Sequence, residues 1–176
     1  MQTNSNLVIA DNLISDAKNG GCGILLSAAV DVVVRGNRIS DCSRGIQIDS
    51  PQAYTTPERK QSDELMKQIY ANYPTVPAFA GSDNLLVTGN FIKRMNRDGI
   101  YAVGCAERPV TGLVVTDNFL SDNNMGNYDS VRDIWADSLD RAVIRDNFSA
   151  GTSAEKKLSP IQGIGKNCKA TVFEFN

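Results

Sequence analysis

Short apolar runs recur along the chain, and each ends in a Gly-Asn or Asp-Asn pair. They read "LVIADNLIS" (7–15), "VVVRGNRIS" (32–40), "LLVTGNFIK" (85–93), "LVVTDNFLS" (113–121) and "AVIRDNFSA" (142–150). Their β-branched residues favour strands, and a strand sends successive side chains to opposite faces. If Val8, Val33 and Leu86 pointed inward, Arg35, Thr88, Thr116 and Arg145 would point inward as well. A buried, unpaired Arg is costly. The core pairs are therefore expected to be Leu7/Ile9, Val32/Val34, Leu85/Val87, Leu113/Val115 and Ala142/Ile144, leaving Val8, Val33, Leu86, Val114 and Val143 outside as an apolar stripe.

The phrase sets Asn12, Asn37, Asn90, Asn118 and Asn147 in register, with Asn176 at the same point of "TVFEFN"; the spacings are 25, 53, 28, 29 and 29. Self-similarity at such a period predicts stacked repeats. Asp or Gly before each Asn suits a tight turn or positive φ. The Asn column is expected to be structural, its amides bonded up the stack as ladders of like amides are.

A second strand follows in each repeat: "GILLS" from Gly23, "GIQID" from Gly45, "GIYAV" from Gly99, "DIWAD" from Asp133 and "GIGKN" from Gly163. The doubled interval between Asn37 and Asn90 is assigned to an insertion over about 50–83. There Thr55 and Glu58 form a capping pair, Pro57 starts and Pro74 ends a helix, and Leu65, Met66, Ile69, Tyr70 and Tyr73 share one face.

Over about 6–49 and 84–176, this pattern of apolar-x-apolar-x-(Gly/Asp)-Asn-x-apolar followed by Gly-Ile resembles the right-handed parallel β-helix repeat family, the pectate-lyase-like fold. The resemblance implies an all-β, single-stranded parallel solenoid of about five to six coils with one helical insertion, forming a single domain over 1–176. The first strand is expected to start near Leu7 with no cap before it. The chain is thus expected to be the C-terminal part of a longer β-helix protein or to be capped by oligomerisation.

Composition narrows the partners. With 18 basic and 20 acidic residues, the net charge of -2 supplies no positive field to gather nucleic acid. "GILLSAAVDVVV" falls well short of the ~20 apolar residues that span a bilayer, and Met1 to Ser5 lack the basic and apolar regions of a signal peptide, so neither a membrane partner nor an export signal is expected. Cys22, Cys42, Cys105 and Cys168 stand singly and there is no His, so no zinc site is expected, and no motif supports calcium or another cofactor. Free, partly buried thiols are the expectation, with one disulfide as the alternative. A chain of this size can bury roughly 70% of its unfolded surface.

The candidate chemistry lies outside the second strand. With Ile24, Ile46, Ile100, Ile134 and Ile164 inward, the outward column is Leu25, Gln47, Tyr101, Trp135 and Gly165; two residues on come Ser27, Asp49, Val103, Asp137 and Asn167. Tyr101 and Trp135 on neighbouring coils would offer a platform for sugar rings. Asp49 and Asp137, two coils apart, would have backbones roughly 10 Å apart, near the carboxylate spacing of inverting glycosidases. Arg44, Arg97, Asp98, Arg132 and Asp133 stand just before these strands and could bind acidic sugars or pair with one another, and Tyr54, Arg59 and Lys60 could wall a groove. A Tyr and a Trp packing on neighbours, and Asp beside Arg as a surface ion pair, are the plainer alternatives.

The resemblance implies a polysaccharide partner and a lyase, hydrolase or epimerase type of activity, in an extracellular or phage-virion setting. The motifs of those enzymes, calcium-binding Asp clusters, Gly-His-Gly and Asp-Pro-His, are absent. A non-catalytic structural or adhesive module, such as a phage tail component, is the alternative. The apolar stripe would be covered by the 57–73 helix or by neighbouring protomers, as in trimeric tailspike β-helices.

Overall fold

The computed structural model describes residues 4–17, 19–50, 81–106, 108–129, 131–150, 161–162 and 167–174. The first tier of strands is β1 (Asn4–Ala10), β2 (Leu13–Ser15) and β3 (Cys22–Ser27), and the second is β4 (Ala29–Arg35), β5 (Arg38–Ser40) and β6 (Arg44–Asp49). Above them lie β7 (Asp83–Thr88), β8 (Phe91–Lys93) and β9 (Ile100–Val103), then β10 (Val110–Thr116), β11 (Phe119–Ser121) and β12 (Ile134–Asp137). The last tiers hold β13 (Leu139–Asp140), β14 (Val143–Arg145), β15 (Phe148–Ser149), β16 (Ile161–Gln162) and β17 (Val172–Phe173).

Like strands pair in parallel and form three sheets. The first runs β1-β4-β7-β10-β14-β17, with β13 beside β10; the second runs β2-β5-β8-β11-β15 and the third β3-β6-β9-β12-β16. The architecture is all-β and built from stacked parallel sheets, consistent with a parallel β-solenoid. No helix occurs among the described residues.

The inward phase agrees with the sequence pattern. Val32, Val34, Leu85, Val87, Leu113, Val115, Ala142 and Ile144 are buried in one continuous core with Ile39, Ile46, Ile92, Ile100, Leu120 and Ile134. The outward column pairs Val8, Val33, Leu86, Val114, Val143 and Val172 in register. Only Val8 and Val172 of this column are exposed; the rest are half-buried. Leu7 departs from the expectation: it holds an inward position yet is 40% exposed, because no strand lies beneath it among the described residues.

Strand β4 pairs directly with β7, and Asn37 bonds to Asn90, so these two strands are neighbours in the stack despite the doubled interval. The expected helix at 57–73, together with Tyr54, Arg59 and Lys60, lies outside the described residues, as does Asn176.

Columns of left-handed residues turn the chain. Asp11, Gly36, Gly89, Asp117 and Asp146, with φ from 55° to 64°, precede the ladder asparagines as the sequence implied. A second column, Asp16, Asp41, Arg94 and Asp122, follows the three-residue strands; Asn6, Asp31, Asn84 and Gly112 lie inside β1, β4, β7 and β10, and Arg141 falls between β13 and β14. Asp and Asn tolerate this region better than other residues with a side chain, which explains why they recur at the corners. Glycine opens the second strands for a different reason, namely close approach: a Cβ on Gly45 would fall 2.4 Å from the Gly99 carbonyl oxygen and 2.6 Å from Ile92.

Two boundaries differ from the sequence reading. β1 begins at Asn4 rather than near Leu7, since Asn4 and Ser5 already pair with Ala29 and Val30. At the other end Ile134 and Trp135 pair with Ile161 and Gln162, so Ile161 takes the place expected for Ile164, and Gln162 the place expected for Gly165. "PIQGIGKN" contains two Ile residues three apart, and a period-two pattern alone does not choose between them.

Candidate functional site

The sheet β3-β6-β9-β12-β16 carries the candidate residues, because the alternation that buries Ile24, Ile46, Ile100 and Ile134 turns their neighbours outward. One rung runs Leu25, Gln47, Tyr101, Trp135 and Gln162; the next runs Ser27, Asp49, Val103 and Asp137. Tyr101 and Trp135 are thus neighbours, and Asp49 and Asp137 lie two strands apart, as the sequence spacing implied.

Arg44 organises the lower part of this face. Its Nε donates to Asp98 Oδ2 at 3.0 Å and its Nη1 to Gln47 Oε1 at 3.0 Å, while its guanidinium carbon sits 4.1 Å from the centre of the Tyr101 ring. Gln47 Nε2 donates to Asp49 Oδ2 at 3.0 Å, and the Cys22 thiol donates to Gln47 Oε1 at 3.1 Å. Five expected or adjacent residues therefore form one network, with the cation over the face of an aromatic ring. Burial pushes the Asp98 carboxyl above its ordinary value, and the bond from Arg44 pulls it back. Burial also raises the Cys22 thiol, against the opposing pull of Arg44.

The network is not an open groove. Although outward, Gln47 and Asp49 are only 8% and 5% exposed, whereas Tyr101, Trp135, Val103 and Asp137 are half-buried. Asp49 Oδ1 and the adjacent Ser50 Oγ are buried without a hydrogen-bond partner. Asp137 accepts from the Ser138 hydroxyl at 3.3 Å and stands nearer solvent. The two carboxylates thus occupy unlike environments.

The remaining charged residues are spread around this core. Arg132 accepts a structural role: its Nη1 donates to the Asp129 and Val131 carbonyls, and its backbone N–H donates to Asp98 Oδ1 at 3.4 Å. Arg97 lies with its guanidinium carbon 5.2 Å from the Tyr128 ring centre. Both keep a buried Nε without a partner. Asp133 does not pair with an Arg; it accepts from Asn123 Nδ2 at 2.6 Å and from the Ser149 hydroxyl, and burial raises its carboxyl above the ordinary range.

Sequence reasoning missed an outward aromatic column on the neighbouring sheet. Phe91, Phe119 and Phe148 pair in register, with ring centres 4.4 Å and 5.2 Å apart. The signal was present, since each follows a ladder asparagine, but that position holds Leu13 and Arg38 in the first two repeats. At the corner beyond this sheet, a pocket of about 330 Å³ is lined by Asp41, Cys42, Arg94, Asn96 and Met125. Arg94 Nε donates to Asp41 Oδ1 at 3.0 Å across it.

Among the described residues all four cysteines are free, and no group of three or more acidic, Cys or His side chains is placed to hold a metal ion. Comparison with protein-family models, curated proteins and solved structures finds no match to this chain.

Proposed function

We propose that the chain is a right-handed parallel β-helix of the pectate-lyase-like kind, with five to six coils, that binds a polysaccharide along the outer face of its second strands. The observation that carries this reading is the adjacency of Tyr101 and Trp135 on one rung, beside the Arg44–Gln47–Asp49 network. An aromatic pair at strand spacing matches the apolar faces of successive sugar rings, and flanking amide, carboxylate and guanidinium groups satisfy their hydroxyls. Arg44 covers one face of Tyr101, so Trp135 is the better stacking surface.

Catalysis is the finer part of the proposal. Asp49, screened from water with Oδ1 unpartnered, and Asp137, nearer solvent, are the two carboxylates on this face that such a reaction would use. The burial of Gln47 and Asp49 favours a second reading, a non-catalytic binding or adhesive module in which this network only shapes the face. Incubation with a panel of polysaccharides separates the two. Depolymerisation, or the absorbance of an unsaturated product, that is abolished by Asp137→Ala in a folded variant supports the enzyme. Binding without product supports the module, and neither binding nor product contradicts the proposal.

A further inference from the structure

The connections from the second sheet to the third lengthen over three successive tiers. They comprise residues 41–43 after β5, 94–99 after β8 and 122–133 after β11. Backbone bonds lay each longer loop on the shorter one. Asn96 and Arg97 donate to the carbonyls of Cys42 and Ser43, and Met125, Gly126 and Asn124 donate to those of Met95, Asn96 and Arg97. The Asn124 side chain then ties its own loop, donating to the Tyr128 carbonyl at 2.9 Å and accepting the Tyr128 N–H at 2.8 Å. The pocket of about 330 Å³ lined by Asp41, Cys42, Arg94, Asn96 and Met125 lies where these three loops overlap, so backbone pairing forms its walls before any ligand arrives.

Arg94 is an unusual residue for its corner. It takes a φ of 57° where the equivalent turns hold Asp16, Asp41 and Asp122, a residue type that tolerates this region better. Such strain persists where the surroundings hold it, and ligand clamps are one such place. Its Nε and Nη2 meet Oδ1 and Oδ2 of Asp41, which leaves Nη1 as a further donor. The half-buried Asn96 side chain makes no hydrogen bond among the described residues, so an amide able both to donate and to accept stands at the pocket wall. Met125, 52% exposed, adds apolar thioether surface.

We propose that this corner pocket is a binding site for one neutral sugar ring, separate from the face that carries Tyr101 and Trp135. The Arg94–Asp41 pair selects against charge. An anion would have to draw Arg94 from Asp41, and a cation would have to draw Asp41 from Arg94, each breaking a two-point, charge-assisted contact. Adjacent hydroxyls need no such exchange. One accepts from Arg94 Nη1 while its neighbour donates to and accepts from the Asn96 amide, and the C–H face of the ring packs on Met125. The volume lies at the lower end of the range for small-molecule sites, which suits one ring rather than a longer oligosaccharide.

Titration of the isotopically labelled full chain with glucose, galactose and mannose, followed by amide chemical shifts, tests this, with glucuronate and glucosamine as the charged counterparts. At least one neutral hexose should shift the signals of Asp41, Cys42, Arg94, Asn96 and Met125 saturably, and its charged counterparts should bind more weakly. Asn96→Ala should weaken that binding about fivefold, the loss of a hydrogen-bonding side chain. The dispersion of the same spectra shows whether each variant is folded; should Asn96→Ala lose it, Arg94→Ala, at a position 44% exposed, makes the same comparison. The proposal is overturned if no neutral hexose shifts these signals, if the charged sugars bind more tightly, or if a folded variant binds as the wild type does. Shifts centred on Tyr101 and Trp135 instead would assign the sugar to the sheet face and overturn the pocket while leaving the face reading intact.

Discussion

Asn37 donates from Nδ2 to Oδ1 of Asn90 at 3.0 Å, and that same oxygen accepts the Asn37 backbone N–H at 3.0 Å. Asn90 in turn donates to the carbonyls of Val34 and Thr88, so one amide serves two tiers of strands at their shared corner. Replacing it strands several buried groups at once, each costing about 1–3 kcal/mol when unsatisfied. Asn90→Ala should therefore lower the unfolding free energy by about 3 kcal/mol or more. Asn12→Ala, at an exposed member of the same column, should cost much less. Denaturant titration compares the two, and equal losses would mean that the column contributes little.

The phenylalanine column makes a second, independent prediction. Phe119 lies between Phe91 and Phe148 and stacks on both. Each aromatic pair is worth about 0.5–1.5 kcal/mol beyond burial, so Phe119→Ala should destabilise by about 1–3 kcal/mol. Phe148→Ala removes one stacked pair at the exposed end and should cost roughly half as much. Melting curves that place Phe148→Ala below Phe119→Ala would contradict the stacking geometry.

Asp133 sets a pH dependence. Burial raises its folded-state value above the ordinary 3.8, while bonds from Ser149 and Asn123 oppose the rise and the Asp122 charge adds to it. A carboxyl raised on folding holds its proton more tightly in the folded state than in the unfolded one. Its contribution to stability is fully present below 3.8 and is lost as pH climbs through the raised folded value. Denaturation of wild type and Asp133→Asn from pH 3 to 7 should show the wild type losing ground to the variant as pH rises. A constant difference across that range would contradict the buried, raised carboxyl.

The ladder and the core were legible in the sequence because both repeat. Asn12 to Asn147 recur with an Asp or Gly before them, and period-two alternation fixes the phase once Arg35 and Arg145 are kept out of the core. The rung of Gln47, Tyr101 and Trp135 followed from the same phase. What did not follow was accessibility. Gln47 and Asp49 read as solvent-facing, yet they are buried, because alternation tells which face a side chain leaves by and not what covers that face. The Arg44–Asp98 bond joins residues 54 positions apart, which spacing alone offered only as one of several pairings. The strand Ile161–Gln162 was misplaced by three residues because two equivalent isoleucines compete for one slot.

The site reading has a direct optical test, because Trp135 is the single tryptophan of the chain and lies on the proposed sugar platform. Its fluorescence should change saturably on titration with a polysaccharide that binds, and Tyr101→Ala, which removes the neighbouring ring, should weaken that binding at least about tenfold. A Trp135 signal that stays constant across the whole glycan panel, in a protein shown to be folded, would contradict the assignment of this face to a saccharide.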